Sequence, residues 1–283
     1  PLRFPTMTDE TQPDAATPDA APAEEAPTYP LGSPEDLAAR SAKPDGELSD
    51  DFILYLFRDA WSPWLVHILT VDGIEGAEDR LAGFAVVNPA LPGAAAEVER
   101  CVGLGLRGLK LVPAGWYPYD DAPRAVYAAA EAHRLPVLFH SGIFIDGRSS
   151  RYCRPAYYEA LRDSPTLRAT LAHLGWPWCD EAIAVALIDR IHGLRPNDCQ
   201  FRLDISFGPP PPYRQEVIGR AWQVLGAELL LYGSDRFLPC TGADLRRAQS
   251  EAAAVLDRLG LSDAEARRVF SENARDWLHA RPT

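Results

Sequence analysis

Three short, mainly apolar runs in this sequence each end near a side chain that can bind a metal ion or transfer a proton. The runs and these residues are 135–139 with His140, 167–172 with His173, and 228–232 with Asp235. A short apolar run that is broken by small residues is typical of a buried strand. In a parallel barrel the carboxyl ends of the strands meet at one face, where active sites lie. The pattern therefore predicts that His140, His173 and Asp235 lie together.

Strand-like and helix-like segments alternate along most of the chain. Strands are predicted at 65–71 and from near Leu81, Arg107, Leu135, Leu167, Gln200 and Glu228. Helices are predicted at 51–64, 94–104, 122–133, 155–162, 180–191, 213–225, 242–259 and 262–279, the last with a capping box at Ser262 and Glu265. Most strands are apolar at both odd and even positions, which is expected when helices cover both faces of a parallel sheet.

The alternation predicts an α/β protein with a (β/α)8 TIM-type barrel. Seven strands are predicted, so strand one is either missing or upstream of the given chain. The alternative is an open doubly wound sheet, which would need a glycine-rich phosphate loop after an early strand. Gly103, Gly105 and Gly108 have the spacing of such a loop, but they precede a strand, and a helix-to-strand turn explains them better.

The composition divides the chain into two parts. Residues 8–36 contain eight acidic residues, six prolines and no lysine or arginine. A segment with so few large apolar side chains cannot bury enough surface to offset the entropy of ordering. We therefore predict a flexible acidic segment at 1–48, and a barrel domain with two C-terminal helices at 49–283.

Charge, hydropathy and cysteine content limit the partners and the cellular location expected for the chain. The net charge of −12 disfavours nucleic acid as a partner. No apolar run approaches the roughly 20 residues of a membrane-spanning helix, and no signal peptide is visible. Five scattered cysteines favour reduced thiols and a cytoplasmic location over disulfides. We expect a small-molecule substrate as partner, and the sequence leaves open whether the chain forms a homodimer.

Four short motifs in order carry a resemblance to a known family. They are Gly108-Leu109-Lys110-Leu111 with Pro113, residues 135–142, His173-Leu174-Gly175-Trp176-Pro177, and Leu231-Tyr232-Gly233-Ser234-Asp235. The chain resembles the metal-dependent amidohydrolase superfamily, in the amidohydrolase-2 branch of aminocarboxymuconate-semialdehyde decarboxylase-like enzymes. The likeness extends from about residue 80 to the end, and the motifs match strands four, five, six and eight of that barrel.

The resemblance implies a metal site and roles for three residues. His140 resembles a metal ligand, and Asp235 resembles the acid that binds metal and accepts a proton. His173 resembles a second-metal ligand in two-metal members, or an electrophile or general acid in one-metal members. We expect one divalent ion, zinc, with a second ion left open.

One family feature is absent from the sequence. The family's strand one ends in a His-x-His pair, but no such pair exists here and no histidine precedes His67. Either strand one lies upstream of Pro1 or the metal site is degenerate, and the count of seven strands favours the first. His67 itself lies mid-strand, where a core histidine is favoured over a ligand.

Two further residues allow more than one interpretation. Lys110 is one of only two lysines, and some superfamily members carboxylate a strand-four lysine to bridge two metals. The ordinary alternative is a lysine paired with a nearby acid. Asp204 could support a metal ligand from behind, or form a salt bridge with Arg202 or with a helix.

Candidate substrate-binding residues follow the same strand ends. They are Arg151, Tyr152, Arg154, Trp176 and Arg236. Guanidinium groups suit a carboxylated substrate, although solvated surface arginines would give the same pattern. Trp176 would either line a substrate pocket or pack against the core.

The resemblance leads to one expected function with two alternatives. The expected function is a metal-dependent hydrolase that acts on an amide, ester or lactone bond of a small, carboxylated substrate through activated water. The alternatives are non-oxidative decarboxylation of an aromatic or unsaturated acid, and a degenerate barrel that only binds a ligand.

Overall fold

Six parallel strands form one sheet in the computed structural model, which describes residues 82–145, 147–206, 208–235 and 242–279. They are β1 (Phe84–Val86), β2 (Gly108–Leu111), β3 (Val137–Phe139), β4 (Ala169–Leu171), β5 (Phe201–Asp204) and β6 (Leu230–Leu231). Each strand pairs with the next one along the chain, in the order β1-β2-β3-β4-β5-β6. A doubly wound sheet would reverse its order at a switch point, whereas a barrel keeps sequential order. The six strands predicted after residue 80 are therefore confirmed.

Helices connect these strands and close the chain. They are α1 (Ala94–Gly103), α2 (Arg124–Ala132), α3 (Cys179–Ile191), α4 (Pro211–Leu225), α5 (Gly242–Leu259), α6 (Asp263–Arg267) and α7 (Asn273–His279). α1 ends at Gly103 and β2 begins at Gly108, so the glycines between them form a helix-to-strand turn, as predicted. No helix in the described ranges is long and apolar enough to cross a bilayer.

The helix predicted at 155–162 is a 3-10 helix, Pro155–Asp163, between β3 and β4. Its buried side chains are Pro155, Tyr158 and Leu161. They are spaced by three residues, which puts them on one face of a helix with three residues per turn. The sequence pattern marked this segment as helical but did not distinguish the tighter form.

The C-terminal helix predicted at 262–279 is divided by a π-helical segment. The capping box is confirmed, because the Ser262 Oγ accepts from the Glu265 N–H and the Glu265 Oε2 accepts from the Ser262 N–H. The π segment, Arg268–Glu272, lies between α6 and α7. There the Val269 carbonyl accepts a hydrogen bond from the Tyr232 N–H at 2.9 Å. The π segment thereby supports the chain that leads from β6 to Asp235.

The two faces of the sheet differ in chemistry. Lys110, Thr170 and Arg202 belong to one row of paired residues, since Lys110 is in register with Leu138, Leu138 with Thr170, and Thr170 with Arg202. Residues paired across parallel strands project to the same face. Their neighbours along the strands are buried apolar residues, among them Leu109, Leu111, Ala169, Leu171, Phe201 and Leu203. The polar residues thus share one face, and helices pack on the other.

Several predictions fall outside the described residues. These are the 1–48 segment, the 51–64 helix, the 65–71 strand with His67, Cys240 and Arg236. The four cysteines within the described ranges are all buried and free of disulfides, as predicted.

Asp189 holds the start of β5 in place. Its side chain is 2% exposed, and its Oδ2 accepts hydrogen bonds from the backbone N–H groups of Gln200 at 2.8 Å and Phe201 at 3.3 Å. Its Oδ1 accepts from the Arg162 guanidinium. A buried carboxylate satisfied by three donors sets the position of the strand that ends at Asp204.

We expect Asp189→Ala to lower the free energy of unfolding by about 3 kcal/mol, because it leaves buried donors and a guanidinium without their acceptor. Denaturant unfolding measures the change. Asp198→Ala is the control, since Asp198 pairs with the exposed Arg195 and its loss should leave the unfolding midpoint unchanged. Equal midpoints for both variants would contradict the anchoring role of Asp189.

Candidate active site

The residues predicted at the strand ends do converge. His140 follows β3, His173 follows β4 and Asp235 follows β6. The ring centroids of the two histidines are 5.1 Å apart, and the His173 Nδ1 lies 3.9 Å from an Asp235 carboxylate oxygen. Electrostatic contacts add Lys110 from β2 and Asp204 from β5 to the same group. Five strands therefore contribute to one cluster.

Hydrogen bonds join the loop after His140 to the segment that contains His173. The buried Ser141 hydroxyl donates to the Ala172 carbonyl at 2.6 Å, and the Ile143 N–H donates to the Trp176 carbonyl at 2.9 Å. Between them, Gly142 has a φ of 92°. A Cβ at this position would lie 2.2 Å from the Trp176 carbonyl oxygen. Only glycine fits, so the small residues after His140 serve to bring two strand ends together.

The ring of His140 has an acceptor atom with no partner. Its Nε2 is buried, and no hydrogen-bond partner for it lies within the described part of the chain. The ring stacks on Phe144, with centroids 4.3 Å apart and planes within 8°. Burial, followed by the positive charges of Lys110, His173 and Arg148, lowers the His140 pKa to about 2. The imidazole is therefore neutral at physiological pH, the form in which histidine binds metals.

His173 is held in a left-handed backbone conformation, with φ 60°. Gly208 packs against it so closely that a Cβ there would lie 2.4 Å from the His173 Cβ. The His173 Nδ1 lies 2.8 Å from the Ser206 Oγ, which donates to the Asp204 Oδ2 at 2.7 Å. Burial lowers the His173 pKa to about 4, although the Asp204 charge opposes the shift. A non-glycine residue at positive φ is uncommon and often marks a functional position.

Lys110 interacts with the two acidic residues of the cluster, Asp204 and Asp235. Burial lowers its pKa below the usual range, while the charges of Asp204 and Asp235 oppose that shift. This environment fits the interpretation of Lys110 as a lysine that neutralises nearby carboxylates. Asp204 bonds to Ser206, and the guanidinium of its neighbour Arg202 instead reaches the Pro196 carbonyl at 3.3 Å. Of the two interpretations of Asp204, the geometry thus favours support of the cluster from behind.

The amidohydrolase family model matches residues 10–280, nearly the whole chain. The chain belongs to the amidohydrolase family. The match begins well before residue 80, where the motifs recognisable in the sequence start. No curated protein sequence matches this amidohydrolase significantly.

Solved structures support the barrel fold of this amidohydrolase. An uncharacterised TIM-barrel protein from Bordetella bronchiseptica superposes with a TM-score of 0.59 and 20% identity, covering 75% of this chain and 71% of that one. The 2,6-dihydroxybenzoate decarboxylase from Rhizobium superposes with a TM-score of 0.55 and 16% identity, covering 76% of each chain. A 2,6-dihydroxybenzoate decarboxylase complexed with 2,6-dihydroxybenzoate gives a TM-score of 0.54 at 16% identity, again covering 76% of each chain. Identities this low establish the fold and no more.

The described residues do not by themselves form a complete metal site. Within those ranges, no three His, Cys, Asp or Glu side chains form a group that could hold a metal ion. The donor types do fit, because an unpartnered imidazole nitrogen and a nearby carboxylate are zinc ligands. A catalytic zinc site takes three protein ligands, so His140 and Asp235 would form an incomplete set on their own.

The predicted substrate-binding residues make other contacts. The Arg151 guanidinium lies 4.7 Å from the Tyr152 ring centroid, and Arg154 forms a salt bridge with Glu181 at 2.5 Å. Trp176 is partly buried against the core. The roles of these residues in substrate binding stay predictions, as does that of Arg236, which lies outside the described residues.

Three residues near the histidines were not among the predicted site residues. Phe144 stacks on His140, and the Arg148 Cζ lies 4.0 Å from the Phe144 ring centroid. Ser206 bonds to both His173 and Asp204. The sequence gives a usable signal for Ser206, which follows Asp204 by two residues at a strand end, and for Arg148, which lies in the same arginine-rich loop as Arg151 and Arg154. Phe144 lies in an irregular part of that loop, where no periodic pattern exists.

We expect Gly142→Ala to destabilise the protein more than Gly147→Ala does. Both glycines have a left-handed φ, but only Gly142 has no room for a Cβ atom. Gly147 has a φ of 89° with nothing near its missing Cβ, so only the backbone penalty of about 1–2 kcal/mol applies. Gly142 adds a clash with the Trp176 carbonyl, worth a further ~1–3 kcal/mol. Equilibrium unfolding measures the loss of stability in both variants. Equal losses would show that Gly142 is not in tight contact with the Trp176 carbonyl.

Proposed function

We propose that this amidohydrolase is a metal-dependent hydrolase acting on an amide, ester or lactone bond of a small, carboxylated substrate. The buried Nε2 of His140, which has no hydrogen-bond partner among the described residues, is the observation that supports it most. A buried polar atom without a partner costs about 1–3 kcal/mol, so its presence needs an explanation. A metal ion that accepts this lone pair supplies one, and the family relationship makes that explanation the natural choice.

His140 and Asp235 are the residues that would hold the ion. A bound divalent ion such as zinc would lower the pKa of a water molecule and polarise the scissile group. His140 offers a neutral imidazole whose ring plane is held by the stack on Phe144. That contact orients the Nε2 lone pair before anything binds. A ligand held in place in this way loses little entropy on binding.

Asp235 is proposed as the proton acceptor for the attacking water. It sits at a φ of 48°, after Gly233 and Ser234, and its side chain is 29% exposed. The exposure leaves a path for water to reach the carboxylate. The Lys110 charge acts on this carboxylate, and the His173 Nδ1 lies 3.9 Å from its Oδ2.

Positive charge beside the histidines supports a carboxylated substrate. The Arg148 charge acts on the His140 ring, and Lys110 acts on both histidines. A substrate carboxylate would find these cations in a region of low dielectric constant, where charge interactions are stronger than in water. Asp204 and Asp235 oppose the Lys110 charge, so Arg148 is the cation that would attract such a carboxylate to the His140 side of the cluster.

Decarboxylation is a second candidate, favoured by the aromatic surface next to His140. Phe144 contacts the His140 ring and the Arg148 guanidinium, and this pairing of a flat apolar surface with a cation suits an aromatic acid. Two of the solved structures with a similar fold are 2,6-dihydroxybenzoate decarboxylases. In that reaction a protonated group would quench the carbanion.

Metal content tests the proposal directly. We expect the protein, expressed with any residues encoded before Pro1, to bind about one zinc ion, His140→Ala to lose it, and His133→Ala to keep it. His133 is the matched control because it bonds to Glu99 at 2.5 Å, away from the cluster. Elemental analysis after dialysis gives the stoichiometry. A parent protein that contains any residues encoded before Pro1 and still binds no zinc would instead support the degenerate barrel that only binds a ligand.

A product screen then separates the two reactions. Amides, esters and lactones with a carboxylate should yield a new acid with an amine or alcohol, whereas aromatic acids would release carbon dioxide. With the substrate found, Asp235→Asn should lower turnover by at least ~10²-fold, since it removes the base while keeping the shape. Asp163→Asn, at a surface ion pair with Arg124, is the control. Parent-like turnover by Asp235→Asn would remove that residue from the mechanism.

A further inference from the structure

Ser206 lies between a carboxylate and an imidazole at the centre of the cluster. Its Oγ is 2.7 Å from the Asp204 Oδ2 and 2.8 Å from the His173 Nδ1. Its backbone N–H also donates to the Asp204 Oδ1 at 2.5 Å. Both side chains are buried, Ser206 at 2% and Asp204 at 7% exposure. Three groups from two different strand ends are therefore connected by short hydrogen bonds away from solvent.

The direction of these hydrogen bonds follows from what each group can donate. A hydroxyl has one hydrogen, and a carboxylate has only lone pairs. The Ser206 hydrogen therefore points to Asp204. Only lone pairs of the Ser206 Oγ remain for His173, so the His173 Nδ1 must supply the hydrogen of the second bond. The other atom facing Nδ1, the Asp235 Oδ2 at 3.9 Å, is also an acceptor.

We propose that Asp204 and Ser206 hold His173 in the tautomer that carries its proton on Nδ1, which makes Ser206 a positioning residue. His173 then presents its Nε2 as a lone pair. In this form His173 can accept a proton or bind a metal ion, and it has no Nε2–H with which to act as an electrophile. The importance of the tautomer for catalysis rests on the proposed function.

The packing around these three residues leaves them little freedom to rearrange. A Cβ at Gly208 would lie 2.8 Å from the His173 carbonyl oxygen. A Cβ at Gly233 would lie 3.4 Å from the Asp204 Oδ1 and 3.5 Å from the Ser206 Cβ. Glycines at both positions let the loop after β5 and the loop after β6 pack tightly against the hydrogen-bonded residues His173, Asp204 and Ser206. The contacts are thus specified by surrounding backbone as well as by the bonds themselves.

Nitrogen NMR of the histidine ring measures the tautomer without substrate. The full chain is labelled with 15N-histidine and stripped of metal with a chelator, and long-range 1H–15N correlation spectra are recorded at neutral pH. Comparison with His173→Gln identifies the His173 signals. The expected result is a protonated Nδ1 and an unprotonated Nε2. A protonated Nε2, or an even mixture of both tautomers, in the parent chain would overturn the proposal.

Asp204→Asn should reverse the tautomer. The Ser206 N–H requires an acceptor, so the Asn oxygen keeps the position of Oδ1 and its NH2 group takes the position of Oδ2. The NH2 group then donates to the Ser206 Oγ, and the hydroxyl hydrogen turns to His173. His173 must accept it at Nδ1 and move its own proton to Nε2. The two ring nitrogens should therefore exchange their chemical shifts.

Ser206→Ala is a second variant in case Asp204→Asn does not fold beside Lys110. It removes the only group within hydrogen-bond distance of the His173 Nδ1 among the described residues, so we expect both tautomers to appear. A spectrum that keeps Nδ1 fully protonated would assign the effect to Asp235 and overturn the role of Ser206. The signals of His133, bonded to Glu99, should stay unchanged in both variants and serve as an internal control.

The test is independent of the proposed function. It needs neither metal nor substrate, so a chain that binds no zinc could still show the predicted tautomer. Conversely, a zinc enzyme with His173 in the other tautomer would leave the proposed function standing and overturn only this inference.

Discussion

The register between neighbouring strands is the constraint on which the site depends. Phe139, Leu171 and Leu203 pair across β3, β4 and β5, and each lies at or next to the end of its strand. His140 and Asp204 follow their partners in this row by one residue. Because side chains alternate between the two faces of a strand, a slip of one residue would turn them to the wrong face. The buried apolar residues beneath the helices oppose such a slip. Packing on the helix-covered face therefore keeps His140 and Asp204 on the face that carries the cluster.

Burial of charged and polar groups gives the cluster its chemical character. Lys110, the two histidines and Asp204 share a largely buried region, and Asp235 lies beside them with its side chain 29% exposed. Burial favours neutral imidazoles, and it makes the remaining charges interact more strongly than they would at the surface. The cost of burying the carboxylate of Asp204 is offset by donors on Ser206 and by the nearby ammonium of Lys110. Stability and reactivity therefore depend on the same contacts.

Much of the fold was predictable because it depends on local patterns. The apolar runs located all six described strands, and the capping box located the start of α6. Finer features were not predictable. The 3-10 form of Pro155–Asp163 and the π segment at Arg268–Glu272 arise from packing against neighbouring elements, which the sequence of the segment does not specify. Among the site residues, the strand-end positions of His140, His173 and Asp235 were predicted correctly, whereas the substrate-binding roles of Arg151 and Arg154 stay predictions.

By itself, the sequence determined the alternating elements, the parallel barrel architecture and which strand ends bear ionisable side chains. These follow from hydrophobic periodicity and from residue type, which a chain displays without being folded. Only the tertiary structure decided that Ser206 joins Asp204 to His173 and that Phe144 stacks on His140. It also decided that the His140 Nε2 is buried with no hydrogen-bond partner in the described part of the chain. These contacts join loops from different strands whose backbone takes left-handed angles at His173 and Asp235. Such angles are imposed by the surrounding packing, and no local pattern of residues encodes them.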